Sequence, residues 1–303
     1  MTNANRETKN DRRAHAREEA RAMREKQKKA EKRRRFLIQG GVGVAIIAVI
    51  VIVVLVVVQN QANSVVAAAK AGGPKNMISD GILFHGAGGK AVAVKTAAIK
   101  KGGKPVATDS AKYKGKANIV EYIDLQCPFC DEFELTNLTA IEKWVAAGKA
   151  TVEIHPISIL TDPTDGGYSQ RAASAVACVA NYEPDAFLKA LDALYKDQPK
   201  EGSGGLANSK IASIISGAGA TDPKIRPCIN GASFSKWVVA ATSRAASGFY
   251  AKNATQFSNE VSTPGIAVNG TIYLGDPANS QDWLTNASEF ATFVDSIVPG
   301  TTS

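Results

Sequence analysis

Cys127-Pro128-Phe129-Cys130 sets two thiols on either side of a Pro-Phe pair. Three chemistries use that spacing: thiol–disulfide exchange, half of a zinc site, or a plain structural bridge. A zinc site takes about four ligands. The remaining cysteines, Cys178 and Cys228, are far along the chain, and His15, His85 and His155 form no ligand motif. No metal or cofactor is expected. Exchange chemistry needs one thiol held as thiolate and a second to resolve the mixed disulfide. A helix N-terminus favours an anion through its dipole and free N–H groups. Pro128 suits the first helical position because it has no N–H to leave unpaired. This predicts Cys127 as the attacking thiolate, exposed at a helix start, with Cys130 as its partner one turn in.

The flanking sequence supplies elements to hold the pair. ANIVEYIDLQ (Ala117–Gln126) reads as a strand apolar on both faces, with Ile119, Glu121, Ile123 and Leu125 on one side. After the cysteines, Leu135, Leu138, Ile141 and Val145 recur at helical spacing, and Gly148 can end that helix. ATVEIHPISIL (Ala150–Leu160) reads as the next strand. Upstream, Met77–Phe84 is expected as a short strand, followed by edge strands and glycine-rich loops. Between about 165 and 255 the pattern turns helical, broken at Pro184, Pro199, Gly204-Gly205 and Pro223. Strand character returns at Thr263–Leu274 with an Asn269-Gly270 hairpin turn. A final helix is expected over Ala287–Val298.

Glu121 sits six positions before Cys127 on the apolar strand face. Burial raises a carboxyl's pKa, so Glu121 is placed to pass a proton to or from Cys130. Its other reading is a solvent-facing or lysine-paired side chain, with Lys116 near.

The formal charge of +8 is confined to one end. Residues 1–35 hold fourteen Lys/Arg and six Asp/Glu, leaving twenty-two of each sign beyond. The folded part is thus neutral, and nucleic-acid binding loses its main support. Phe36–Val58 is an uncharged run of 23 residues, long enough as a helix to cross a hydrocarbon core of roughly 30 Å. It exceeds the apolar region of a cleavable signal, although the small residues at Ala67–Ala69 leave cleavage open. Lys32-Arg33-Arg34-Arg35 abuts its N-terminal side, so the basic tail stays cytoplasmic and the rest faces outward. That side permits disulfides. The expected organisation is a tail over 1–35, a single membrane helix over 36–58, a stalk over 59–75 and one α/β domain over 76–303. With an even cysteine count there, Cys178–Cys228 is expected as a structural disulfide.

EYIDLQCPFC, the helical segment and the later Thr263-Pro264 together resemble the DsbA-like branch of the thioredoxin superfamily, over roughly residues 115–298. The resemblance implies a thioredoxin fold with an inserted helical subdomain. It also implies that Pro264 is cis and faces the cysteines, with Thr263 and Pro264 as the substrate platform beside Pro128 and Phe129. An acid is found in that family at the place of Glu121. Phe129 departs from the His often found in strong oxidants, and Asp131, Glu132 and Glu134 add negative charge near the first turn. Those acids are expected to raise the pKa of Cys127 and favour the disulfide. The implied substrates are thiols of exported, unfolded proteins. The implied reoxidant is a quinone-linked membrane partner, DsbB-like or of the vitamin K epoxide reductase type. A tethered reductase or isomerase, and a non-catalytic domain with structural cysteines, are the competing readings.

Overall fold

The computed structural model describes residues 71–161, 163–247, 262–274 and 283–303. The expected tail, membrane span and most of the stalk lie outside the described residues. Among the described residues no helix is long and apolar enough to cross a membrane.

The strands are β1 (Ile82–Ala87), β2 (Lys90–Ala93), β3 (Ala117–Ile123), β4 (Ala150–Pro156), β5 (Gly265–Val268) and β6 (Thr271–Ile272). They form one sheet in the order β2-β1-β4-β3-β5-β6. At its centre β3 and β4 run parallel, from Ala117 opposite Ala150 to Ile123 opposite Pro156. The other described pairings are antiparallel. Two adjacent parallel strands need a crossover, and helix α1 (Pro128–Ala146) provides it. Gly148, at φ 76°, turns the chain out of α1 and back to the sheet. All seven residues of β4 are buried, as a strand covered on both faces requires.

Helix α1 buries Cys130, Phe133, Glu134, Asn137, Leu138, Ile141, Trp144 and Val145. This is a stripe of three- and four-residue steps. Leu135, expected in the apolar stripe, falls off it and is 42% exposed. Phe133 takes the inward place and meets Phe290 edge-on at 5.1 Å, with Tyr273 and Trp144 around them. The expected strand at Met77 begins instead at Ile82. Met77 enters the core from a turn.

Between β4 and β5 lie α2 (Tyr168–Tyr182), α3 (Phe187–Lys196), α4 (Asn208–Gly217), α5 (Ile225–Asn230) and α6 (Ser235–Ala246). Cys178 of α2 and Cys228 of α5 are joined by a disulfide, with Cα atoms 5.9 Å apart. The segment is anchored to the start of the domain through Asp80. Arg244 of α6 donates to its two carboxylate oxygens at 2.6 and 2.8 Å, and the Trp237 indole donates at 2.8 Å. The part of the long helical pattern expected past residue 247 lies outside the described residues.

Asn269 and Gly270, at φ 47° and 83°, form the tight turn between β5 and β6. Asn269 Oδ1 also accepts from the Asn118 amide at 2.9 Å, fixing the hairpin to β3. Helix α7 (Ala287–Ile297) closes the chain, capped by the Asn286 side chain.

Candidate active site

Strand β3 ends at Ile123, and the next four residues turn the chain into α1. Cys127 is the N-cap residue in extended conformation, and Pro128 occupies the first helical turn. The turn is held from within by Asp124. Its Oδ1 accepts from the Gln126 amide at 2.9 Å. Its Oδ2 accepts from the amides of Ile159 and Leu160 and from the Ser169 hydroxyl, at 2.8 to 3.0 Å. Burial raises the Asp124 pKa, and these four donors oppose that rise.

Cys127 and Cys130 are both free thiols. Burial pushes the Cys130 thiol well above its ordinary value, and it donates a hydrogen bond to Cys127. Cys127 moves the other way, to about 6. The Cys130 thiol is the largest cause, outweighing burial. The Thr263 side chain and the backbone N–H groups of Cys130 and Phe129 add to it. The expected rise from neighbouring acids does not occur. Glu134 points into the core, and the donors at the helix start dominate at the sulfur.

The expectation of an exposed Cys127 is also corrected, since only 4% of it is exposed. The Thr263 carbonyl lies over the sulfur and accepts from the thiol at 3.3 Å. The Thr263-Pro264 peptide is cis. This loop covers Cys127 where a bare helix end would leave it open. Phe129 is 56% exposed and lines a groove of about 390 Å³ with Thr263, Pro264, Tyr273, Leu274 and Trp283. The structure therefore gathers Cys127, Cys130, Pro128, Phe129, Thr263 and Pro264 at one place. Cys178 and Cys228 stand apart in the helical segment.

Glu121 is fully buried, without the lysine partner considered for it. It lies against Glu134 of α1, which is 1% exposed. Two carboxylates cannot donate to each other, and none of the four oxygens has a donor elsewhere among the described residues. Burial raises both groups, Glu121 to about 7 and Glu134 further, the second helped by the charge of the first.

Three contributors escaped the sequence reading. Glu134 was legible in principle, because a residue four after Cys130 shares its helix face. Tyr195 and Gln198 come from the helical segment and carry no local signal. Tyr195 Oη donates to the Asp124 carbonyl at 3.4 Å, and the Asp124 amide donates to Cys130 Sγ at 3.5 Å. The Gln198 amide donates to the carbonyls of Leu125 and Cys127.

No curated protein sequence matches this chain. Among solved structures, reduced DsbA from Mycobacterium tuberculosis is 25% identical, over 62% of this chain and 89% of that one, with a TM-score of 0.46. Reduced disulfide-bond oxidoreductase DsbG from the same organism is 27% identical, over 62% and 85%, at 0.45. MdbA from Corynebacterium diphtheriae, a thiol–disulfide oxidoreductase, is 21% identical, over 67% and 93%, at 0.46. The thioredoxin family model matches residues 112–295, well over half the chain and including every part of the site above. By that match the chain belongs to the thioredoxin family.

Proposed function

We propose that the chain is a membrane-tethered disulfide donor of the DsbA-like type that oxidises thiols of exported proteins. The observation that carries this is the inequality of the two thiols. A Cys127 thiolate stabilised by the Cys130 thiol and the helix N–H groups stabilises the reduced state of the pair. A protein whose reduced form is stabilised is the stronger oxidant. The exposed apolar groove next to Thr263 suits extended, unfolded polypeptide, with Phe129, Trp283 and Leu274 as contacts for side chains.

In the proposed reaction a substrate thiolate attacks Cys127 Sγ of the oxidised pair. The Cys127–Cys130 bond breaks, and Cys130 leaves as a thiolate that takes up a proton. A second substrate thiolate then attacks the substrate sulfur of the mixed disulfide. The substrate leaves oxidised, carrying two fewer electrons, and Cys127 departs as its stabilised thiolate. The reduced pair is returned to the disulfide by a quinone-linked membrane partner, of the DsbB-like or vitamin K epoxide reductase type. In this reading the apolar run Phe36–Val58 anchors the donor in the partner's membrane, with the catalytic domain on the extracytoplasmic side.

The test is direct transfer. Oxidised full-length chain in detergent is mixed with a reduced, unfolded secreted protein, and thiols on both are counted with time. The donor reading expects substrate thiols to disappear in step with the appearance of thiols at Cys127 and Cys130. It also expects Cys127→Ser to abolish transfer. No transfer from a confirmed oxidised pair would overturn it.

A further inference from the structure

Charge is unevenly placed along the domain. Beyond residue 35 the two signs cancel, yet residues 90–116 hold eight lysines and a single acid, Asp109. The rest of that part of the chain has fourteen Lys/Arg against twenty-one Asp/Glu. Lys90, Lys95, Lys100, Lys101, Lys104, Lys112 and Lys114 are exposed, and Lys116 is half-buried. None of the eight forms an ion pair among the described residues. Asp109 is taken up in capping, its carboxylate accepting from the Ala111 amide at the turn Ser110–Tyr113. An exposed strip of one sign attracts an extended surface of the other.

The densest part of the strip is a tight turn. The Gly103 amide donates to the Lys100 carbonyl at 2.8 Å, and Gly102 takes φ 72°, a left-handed position that glycine accepts without strain. Lys100, Lys101 and Lys104 are thereby set around one point, and nothing lies within 4 Å of where a Cβ would stand on Gly102. The base of the turn is fixed. Ile99 is buried, and its carbonyl accepts from the Gly73 amide at 2.9 Å. The Asn76 amide donates to the Thr96 carbonyl at 3.0 Å, and Asn76 Oδ1 accepts from the Thr96 amide at 3.1 Å. The Val106 amide donates to the Ile78 carbonyl at 2.8 Å, while the Val106 side chain is 58% exposed. An apolar side chain therefore stands in the open two residues after Lys104.

Gly73, Asn76 and Ile78 belong to the stretch by which the chain enters the domain. Only residues 59–70 separate Ala71 from the apolar run that ends at Val58, a reach of at most about 45 Å when fully extended. A patch on so short a tether is always near the bilayer, so a few weak charge contacts suffice to seat it. We propose that residues 95–106 form a membrane-contact element, with Lys95, Lys100, Lys101 and Lys104 on anionic phospholipid headgroups and Val106 at the acyl boundary. The attraction of a lysine to such a surface dies away within a Debye length, about 8–10 Å. Only a patch laid against the headgroups gains from it. Long lysine stems around an apolar side chain suit that boundary. The contact would hold the domain in one orientation above the bilayer in place of free swinging on the stalk. This inference rests on the membrane-tethered reading.

The test maps lysine reactivity on the full-length chain in lipid nanodiscs, of phosphatidylcholine alone or mixed with phosphatidylglycerol. A water-soluble acylating ester labels the amines, and mass spectrometry reads each site with time. Lys95, Lys100, Lys101 and Lys104 should react about fivefold more slowly in the anionic discs, the factor that one lysine's attraction to such a surface supplies. Lys210 of α4 should keep its rate. Salt at about 1 M, where the Debye length is about 3 Å, should erase the difference. In the Lys100→Glu, Lys101→Glu, Lys104→Glu variant Lys95 should lose its protection. Disulfide exchange with a small thiol should stay at the wild-type rate, showing that the variant is folded. Equal labelling in the two lipids, by a chain that stays embedded, would overturn the headgroup contact and leave the tether standing. A chain that alkaline carbonate strips from the bilayer would overturn the tethered reading, and the contact with it. Protection by soluble polyphosphate but not by phosphatidylglycerol would assign the strip to an anionic polymer and overturn the proposal.

Discussion

The side-chain amide of Gln198 bridges two carbonyls of the redox turn, Leu125 at 3.0 Å and Cys127 at 3.1 Å. Gln198 follows α3, so the helical segment reaches across the fold to hold the N-cap of α1. Gln126 answers in the other direction, its amide donating to the Pro199 carbonyl at 3.1 Å. The insertion is therefore part of the frame of the site.

Gln198→Ala should lower stability by about 1–3 kcal/mol, since two hydrogen bonds worth roughly 0.5–1.5 kcal/mol each are lost. The loss should be local. Amide exchange at Gln126–Phe129 should speed up more than in the β3–β4 centre, by hydrogen-exchange mass spectrometry. Uniform acceleration would show that the contact does not specifically hold the turn.

The Cys178–Cys228 bond closes a loop of 50 residues outside the redox turn. In the chain-entropy model a closure of that length contributes roughly 4 kcal/mol. The Cys178→Ser, Cys228→Ser double variant should unfold at correspondingly lower denaturant concentration. It should still exchange disulfides at Cys127 when folded. Loss of exchange in the folded variant would mean that the pair takes part in the chemistry.

Cys127 titrates near 6 when folded, below its ordinary thiol value of 9. Iodoacetamide should therefore modify the reduced chain with a midpoint near pH 6. The linkage has a definite sign, because with a depressed acid stability rises with pH over the range where the group is ionised in the native state alone. The reduced chain should gain stability over Cys127→Ser as pH rises from about 6 to about 9, hold that gain above, and lose it below 6. The oxidised chain lacks the titrating thiol and should show no such gain. An alkylation midpoint near 9 would contradict the donors described at the sulfur.

Glu121 and Glu134 give the opposite slope. Burial raises both above the ordinary carboxyl value of 4.5, so the folded chain binds more protons than the unfolded chain. Stability should fall as pH rises from about 4.5 through 7, by an amount on the order of a few kcal/mol. Urea unfolding of Glu121→Gln over that range should show a flatter dependence than the wild type. Equal slopes would place the pair's titration outside this window.

Leu274 is 77% exposed at the edge of the groove that Phe129 and Trp283 line. Leu274→Glu should raise KM for a reduced unfolded protein severalfold and leave exchange with a small thiol unchanged. Equal effects on both would show that the groove does not bind polypeptide.

Much of this arrangement was legible in the sequence because it is local. The β3 alternation, the proline after Cys127, the four-residue spacings of α1 and the Asn269-Gly270 turn each carry their structural cause within a few residues. What escaped depends on separation along the chain. Cys127 reads as exposed until Thr263, far away in sequence, is seen to cover it. Glu134 reads as a surface acid at a helix start until its helical phase with Cys130 and its contact with Glu121 are combined. Gln198 has no signal at all, since only the docking of α3 brings it to the turn. Leu135 shows the reverse error, because leucine at a plausible spacing suggested burial that the phase of the helix denies.

The central claim is that the pair donates disulfides, and its reduction potential tests this most directly. The full-length chain, equilibrated in glutathione buffers of graded ratio at pH 7, should give a Cys127–Cys130 potential well above about −180 mV, the level of protein disulfide isomerase. A value near the thioredoxin level of about −270 mV would contradict the donor assignment and make the chain a reductase.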